Sequence, residues 1–422
     1  MVKLKRRYAL LTFIFSLCLG AAKMSLAQDS IKVYADPESI TGFKASRFIE
    51  KIDFLPLQTT KQSKYLTASQ FMMAGDAIVI RDNQNHILYL FDKSSGKFLY
   101  AFKNDKKRYV IDNIQYVPSK NALLIKSLNK HYTITDKKNT ELVHKWQGRD
   151  ISRFVSLQWL FLGDHYRRQS APVPSIALNN DLFYYDDGFI YRNYGNDKHS
   201  KDSVLYRLVQ YDSHNRIKHQ YFPFFNLPGL WSDYYRYRLQ LSGNASLDNK
   251  NLLFQLDFSP AIYELTPDTI TEKYQFVFPM SSVMPQDFNQ LSFRNNIDYQ
   301  KYKDKNEQAF SDYYGLIEHG NYLFFNANTL ANRNRHFMLT KNILYDINKV
   351  TTDSSIYNLP PRILPRIFGQ DQRYVYSIID IPTIIKLKES LLKDKTISKD
   401  FKDYLSVMTK DDNDIILKIQ LK

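Results

Sequence analysis

Residues 77–102 decide the fold: they read Ala77-Ile-Val-Ile-Arg-Asp82, then His86-Ile-Leu-Tyr-Leu-Phe-Asp92, a Lys-Ser-Ser-Gly-Lys turn, and Phe98-Leu-Tyr-Ala-Phe102. Short apolar strands separated by turn residues about every ten positions are typical of an up-and-down antiparallel sheet. The same rhythm continues from about residue 65 to the C-terminus. Repeated blocks of such strands indicate a radial repeat of sheets.

The size and composition of the chain agree with a repeat. Its 422 residues exceed the size at which a single hydrophobic core usually keeps growing. Hydrophobic residues make up 44% and aromatic residues 15%, with only 13 glycines, which favours half-buried sheet over disorder.

The blocks predict an all-β, six-bladed β-propeller over residues 48–422. The last block is one strand short, and the segment Phe48–Leu57 reads as a strand without a block of its own. We therefore predict that this N-terminal strand pairs with the C-terminal blade and closes the ring. Apolar residues three and four apart predict a small helical insertion in the last blade, at about residues 384–408.

The first 27 residues have the pattern of a secretory signal peptide: a basic start, an apolar stretch from Ala9 to Ala22, and a small-x-small site ending at Ala27. Residues 28–47 are then expected to be a linker. We expect no lipoprotein anchor at Cys18, because the preceding Leu17 is not small. Cys18 is the sole cysteine, so the mature chain would hold no disulfide and no thiolate. The predicted location is the periplasm or the cell surface, with no transmembrane segment after cleavage.

The charge of the chain does not point to nucleic acid. The formal net charge is +15, and the leader carries five of the basic residues and no acid, which leaves about +10 on the mature chain. The basic residues are scattered through turns, without a long run, so a solvated basic surface is expected. Attraction to anionic sugars stays open, and the chain is expected to be a monomer.

Several stretches resemble a family of six-bladed β-propellers secreted by Gram-negative gut and oral bacteria, distant relatives of the NHL-repeat propellers. They are residues 49–60, 78–82, 90–99, 261–274, 373–379 and 411–422, in that order. The resemblance covers essentially the whole mature chain. It implies the propeller fold and an exported location, but no catalytic residues, since the family has no agreed set. Many relatives carry a lipidated cysteine, which is absent here in a suitable context.

Catalytic and metal-binding motifs are missing from the sequence. There is no Gly-x-Ser-x-Gly, and the nine histidines form neither His-x-His nor His-Glu-x-x-His. We therefore name no catalytic residue and no metal ligand, and predict no cofactor. Calcium or zinc held by residues from different blades remains an alternative, because the sequence does not reveal which residues converge.

Two segments are candidates for ligand binding. The first is an aromatic and arginine cluster containing Trp231, Tyr234, Tyr235, Arg236 and Arg238, and the second is the long loop 164–174 with Tyr166, Arg167 and Arg168. Aromatic faces stack on sugar rings or peptide side chains, and arginine offers a planar fork to carboxylates. Packing between blades would explain part of the cluster equally well, and the loop could be an ordinary surface loop.

The first strand of each blade should line a central channel. We expect one polar residue per blade there: Gln70, Asn113, Ser175, Arg238, Tyr313 and Arg366. These residues would form either a polar pocket or a solvent-filled channel without a ligand.

Together these features predict a non-catalytic binding or interaction module, with a glycan or another envelope protein as its partner. One alternative is a propeller enzyme, a lyase or hydrolase with a metal-assisted site at the channel. Another is a structural scaffold of an outer-membrane complex. A fold alone does not separate these functions.

Overall fold

The computed structural model describes residues 30–104, 108–130, 154–174, 182–192, 205–214, 216–224, 239–241, 251–256, 259–285, 296–331, 334–351, 367–395 and 397–422. The strands form six antiparallel sheets, numbered here as blades along the chain. Blade one holds β3 (Ala68–Ala74), β4 (Ala77–Asp82), β5 (Ile87–Asp92) and β6 (Phe98–Lys103). Blade two holds β7 (Tyr109–Val117), β8 (Ala122–Asn129), β9 (Val155–Phe161) and β10 (Arg167–Ala171). Blade three holds β11 (Leu182–Tyr185), β12 (Gly188–Arg192), β13 (Leu205–Tyr211) and β14 (Ile217–Phe224).

The second half of the ring follows the same plan. Blade four holds β15 (Leu239–Leu241), β16 (Leu252–Leu256), β17 (Ala261–Leu265) and β18 (Ile270–Val277), with β1 (Ile31–Tyr34) added beside β18. Blade five holds β19 (Phe310–His319), β20 (Tyr322–Thr329), β21 (Asn334–Thr340) and β22 (Ile343–Asp346). Blade six holds β23 (Gly369–Gln370), β24 (Tyr374–Ile379), β25 (Ile415–Leu421) and β2 (Ile49–Pro56). The first strands of neighbouring blades contact one another, so they lie innermost. The chain is therefore a six-bladed β-propeller, as the sequence predicts.

The two middle strands of a blade are apolar on both faces because a neighbouring blade covers each face. In blade one, Ile78, Val79 and Ile80 of β4 are fully buried although they point to alternating sides. Leu88 and Leu90 of β5 are also fully buried. This double burial explains the continuous apolar runs that stand out in the sequence.

The ring is closed by its two ends. Strand β2 pairs antiparallel with β25, so that Ile52 lies opposite Ile419 and Leu55 lies opposite Ile416. All four of these side chains are buried. The predicted pairing of the N-terminal strand with the last blade is thus confirmed, and it leaves neither strand as an open edge on that side.

The segment expected to be a linker, residues 28–47, is structured from Ile31 onward. Strand β1 pairs in parallel with β18, and the chain then crosses blade five, where Asp346 N–H donates to Thr41 O at 3.1 Å and Thr351 N–H donates to Phe43 O at 2.9 Å. Val33 is fully buried. We call residues 31–47 the N-terminal strap, because they cross the outside of blades four and five before β2 joins blade six.

Blades two and three differ in detail from the predicted strands. We expected the last two strands of blade two at residues 130–134 and 141–146, and residues 131–150 lie outside the described part. The structure completes the blade with β9 and β10 instead, with Ala122 opposite Phe161. In blade three, β12 directly follows β11 through the turn at Asp186 and Asp187.

Three helices are described: α1 (Asn296–Lys305), α2 (Ile381–Lys393) and α3 (Lys399–Val407). The last two form the predicted insertion between β24 and β25. Asp380 caps α2 by accepting from Thr383 N–H at 2.9 Å, and Phe401 of α3 stacks on Phe54 of β2 with 4.1 Å between ring centroids. Across the described residues, no helix has the length and apolar character needed to cross a bilayer.

Acid is expected to destabilise the fold through aspartates in hairpin turns. Hydrogen bonds from the hydroxyl and backbone N–H groups of Ser94 and Ser95 lower the pKa of Asp92 to about 2. A carboxyl whose pKa is lower in the folded than in the unfolded chain stabilises above its unfolded pKa, near 3.8, and this stabilisation is lost as the pH falls toward 2. We expect the melting temperature to fall over that interval, and Asp92→Asn to show a smaller fall. Equal slopes for the two proteins in thermal melts at pH 5 to 2 would contradict this assignment.

Candidate functional site

Seven of the predicted binding and channel residues lie outside the described residues. They are Trp231, Tyr234, Tyr235, Arg236, Arg238, Ser175 and Arg366. Their proposed roles remain predictions from the sequence. The site is therefore built from the other predicted residues and from the side chains around them.

The stretch predicted as a long loop, residues 164–174, is mostly a strand. Arg167–Ala171 forms β10, the outermost strand of blade two, and Asp164 to Tyr166 form the hairpin turn before it. In this outer strand Arg167, Gln169 and Ser170 are exposed. As the outermost strand, β10 pairs with another strand, β9, on one edge only, and several of its side chains face solvent. It therefore lacks the alternation of apolar and polar residues by which strands are recognised in a sequence.

Tyr166 has an unfavourable backbone conformation that its ring compensates. His165 and Tyr166 have φ angles of 45° and 57°, and Arg167 N–H donates across the turn to Asp164 O at 2.8 Å. A tyrosine is rarely found in this left-handed region. Its ring stacks on Tyr100 of β6, with 4.5 Å between centroids and 8° between ring planes. Burial, together with the charge of Asp92, raises the pKa of Tyr166.

Arg168 connects the outer strands of blades one and two. Its guanidinium donates to the Tyr100 hydroxyl at 2.8 Å and to Lys103 O at 3.1 Å. The guanidinium carbon also lies 4.6 Å from the ring centroid of Phe102, a fully buried side chain. These contacts fix the orientation of Arg168 and of the Tyr100 ring.

Arg167 is the more accessible of the two arginines. Its guanidinium carbon lies 4.3 Å from the Phe161 ring centroid, and its Nε donates to Asp164. About half of both partners is exposed, at 51% and 55% of the side-chain surface. We call Tyr100, Phe161, Tyr166, Arg167 and Arg168 the tyrosine–arginine surface. It combines aromatic rings with a cation held on a rigid hairpin.

Two of the predicted channel residues are placed on innermost strands. Gln70 on β3 and Asn113 on β7 are half-buried, and each follows an irregularity in the pairing of its strand with the next one. Beside Asn113, the Asp112 carboxylate pairs with the buried Lys126 at 2.9 Å. These neighbours give the start of β7 a charged, hydrogen-bonded surrounding.

Tyr313 does not fit its predicted place in a polar channel. Its side chain is 1% exposed and its ring lies 5.3 Å from Phe276 and 5.7 Å from Phe325, measured between centroids. It therefore belongs to the core between blades four and five. The residues on either side of it, Asp312 and Tyr314, are polar and point to the opposite face of the strand. The predicted channel position was therefore wrong by one residue.

Two carboxylates lie close to each other between blades four and five, and the ammonium group of a lysine is bound to both. Lys273 Nζ lies 2.8 Å from Glu264 and 2.7 Å from Glu318, and the Tyr274 hydroxyl donates to Glu318 at 2.7 Å. Burial acts to lower the pKa of Lys273, but the two carboxylates raise it on balance. This arrangement is an ion-pair network joining two blades. In the described part of the chain, no three His, Cys, Asp or Glu side chains are grouped so that they could hold a metal ion.

One polar cluster was missed in the sequence. Two rows of paired residues cross the first three strands of blade five on one face: Asp312, Asn328 and Asn334 in one row, and Tyr314, Asn326 and His336 in the other. We call them the polar rows. The sequence does show polar residues at every second position in these parts of the three strands. Only the pairing of the strands, however, shows that these residues lie on one face.

The comparisons with known proteins agree with the fold. Residues 23–105 match the DUF5128 family, described as "6-bladed beta-propeller". Among solved structures, a candidate exported protein from Bacteroides fragilis is similar over 93% of this chain and 99% of its own, with a TM-score of 0.61 and 15% identity. This likeness supports the propeller fold alone.

More distant similarities carry no functional argument. A member of the DUF4221 family from Bacteroides vulgatus matches over 89% of this chain and 97% of its own, with a TM-score of 0.42 and 10% identity. An oligogalacturonate lyase in complex with manganese matches over 82% of this chain and 74% of its own, with a TM-score of 0.35 and 10% identity. No curated protein sequence matches the chain.

Proposed function

We propose that this six-bladed propeller is an exported, non-catalytic binding module, and that its tyrosine–arginine surface contacts an acidic glycan of the cell envelope. The observation that carries the proposal is Tyr166, an aromatic residue held in the left-handed region at a hairpin turn, directly before Arg167 and Arg168. Backbone strain of this kind costs about 1–3 kcal/mol and is often found at ligand contacts.

The chemistry of the surface suits an acidic sugar better than a neutral one. Rings such as Tyr166 and Phe161 can stack on the apolar face of a pyranose. The Arg167 guanidinium, bound only to partly exposed groups, can exchange Asp164 for a carboxylate or sulfate of the ligand. The excess of basic residues in the chain adds long-range attraction for such a polymer. The signal-peptide pattern and the fold shared with a candidate exported protein support an envelope location.

Arg167→Ala and Tyr166→Ala are expected to weaken binding of an acidic polysaccharide about tenfold each, roughly 1.4 kcal/mol. The measurement is affinity electrophoresis of the mature chain in gels containing polygalacturonate, alginate or heparin, with melting temperatures recorded in parallel. Arg216→Ala is the matched control, because Arg216 is an exposed arginine paired with Asp212 in a hairpin of blade three.

The loss should occur without a change of more than a few degrees in melting temperature, and Arg216→Ala should bind as the native chain does. Equal retardation of all four proteins would assign the attraction to net charge and overturn the proposed surface. If no acidic gel retards the native chain, the ligand is not an acidic glycan, and a protein becomes the expected partner.

A further inference from the structure

The polar rows interrupt a face that is otherwise hydrophobic. On the same face of blade five, Phe324 and Met338 pack into a core with Val375 of blade six. Two residues away on the same face, Asn326 follows Phe324 and His336 precedes Met338. Faces between propeller blades are buried and therefore mostly apolar, and the polar rows depart from this pattern.

Hydrogen bonds hold the side chains of the rows in defined orientations. Asn328 Nδ2 donates to Asp312 Oδ1 at 2.9 Å, and the Ser311 hydroxyl donates to Asp312 Oδ2 at 2.9 Å. Asn326 Oδ1 is hydrogen-bonded to His336 Nδ1. An asparagine amide has two N–H donors and a carbonyl with two lone pairs, so a single bond leaves most of its capacity for a ligand. Five of the six side chains are half-buried, and Asn334 is exposed.

The backbone of the innermost strand is adapted around the rows. The pairing of β19 with β20 is irregular between Phe310 and Asp312, and again between Tyr314 and Ile317. Such bulges change the direction of side chains and are frequent beside active sites. Gly315 lies within the second irregularity with φ of +62°, and a Cβ there would come within 2.7 Å of Asn326 Nδ2. The positive φ favours glycine at this position, and the absence of a side chain leaves room for the Asn326 amide.

We propose that the polar rows form a second binding site, for a neutral, hydroxyl-rich ligand of the size of one or two sugar rings. The side-chain amides of Asn326 and Asn328 each make one of these bonds, and their remaining N–H groups and lone pairs can bond to neighbouring hydroxyls of a sugar. The rows contain one carboxylate and no lysine or arginine, so a neutral ring is favoured over an acidic one. The site lies on a different blade from the tyrosine–arginine surface and does not depend on the function proposed for it.

The test is a thermal-shift and calorimetric titration of the mature chain with glucose, galactose, mannose, xylose and N-acetylglucosamine, and with glucuronate as the charged counterpart of glucose. At least one neutral sugar is expected to raise the melting temperature by mass action. Asn326→Ala and Asn328→Ala are each expected to weaken its binding about tenfold. His336→Gln is a milder variant that retains a side-chain donor and acceptor, and it should weaken binding less.

Arg216→Ala is the control, since this exposed arginine lies in a hairpin of blade three and its loss should leave the affinity for the neutral sugar unchanged. No shift with any neutral sugar of the panel would overturn the proposal. Binding that persists unchanged in both alanine variants would also overturn it, as would tighter binding of glucuronate than of glucose. If an alanine variant does not fold, His336→Gln must still weaken binding for the site to stand.

Discussion

A mature chain that begins at residue 58, without the strap and β2, is expected not to form the native ring. Strand β2 supplies every partner of the outer side of β25, and it buries Ile49, Ile52 and Leu55, with Leu57 directly after it. Each of these side chains contributes about 2 kcal/mol. Together with the lost strand pairing, the deficit is of the order of the whole stability of a typical domain, about 5–15 kcal/mol. Circular dichroism should show no cooperative thermal transition.

A chain that begins at Asp36 is the matched control for this truncation. It lacks β1 but keeps the crossing of blade five and all of β2. We expect it to melt cooperatively, at a temperature reduced by the loss of Val33 from the core of blade four. Cooperative melting of the chain from residue 58 at the native temperature would show that the ring holds without its closing strand.

Asn413→Ala is expected to lower the free energy of unfolding by about 3 kcal/mol. Asn413 is 2% exposed, and its Nδ2 donates at 3.0 Å to both Gln58 O and Ser63 O. Its side chain thereby attaches the loop after β2 to the loop before β25. Alanine would leave the carbonyl of the buried Ser63 without this donor and the Tyr65 N–H without the Asn413 Oδ1 that it reaches at 3.4 Å. Such unmade bonds cost more than a typical hydrogen bond contributes.

Urea unfolding of the two proteins measures this difference, with the midpoint expected to fall and the slope to stay constant. Asn83→Ala is the control, because Asn83 is an exposed asparagine in a hairpin turn of blade one. It should change the free energy by less than about 0.5 kcal/mol. If Asn413→Ala were equally mild, water would have to satisfy the Ser63 carbonyl and the Tyr65 N–H in place of the amide.

The fold could be predicted from the sequence because its middle strands are apolar on both faces. Runs such as Ile78 to Ile80 are short, β-branched and bounded by turn residues, which favours strands over helices. The segment Phe48 to Leu57 had no block of its own, and the last blade was one strand short. The strap could not be predicted, since β1 is four residues long and pairs with β18 from a distant part of the chain. The outer strand β10 could not be predicted either, because most of its residues are polar and exposed.

The sequence predicted the types of residue in the candidate binding surface better than it predicted their positions in the fold. Tyr166, Arg167 and Arg168 were singled out for their chemistry, and the structure adds Tyr100 and Phe161 from neighbouring strands. Tyr313 was misplaced because it alternates with the polar side chains of Asp312 and Tyr314, and its own face of the strand is the one buried in the core. The polar rows depend on the register of three strands, and that register is set by contacts no single strand reveals.

The closing strand also has a consequence for the time at which the protein becomes resistant to proteases. Glu50 of β2 and Gln420 of β25 are hydrogen-bonded although they are 370 positions apart in the chain. Contacts of such long range form late, because the entropy of closing the loop must be overcome first. While the chain is synthesised, β2 emerges early and stays unpaired until β25 has been added. Until then the nascent chain is an open array of blades in which β2 lacks its partner and remains accessible.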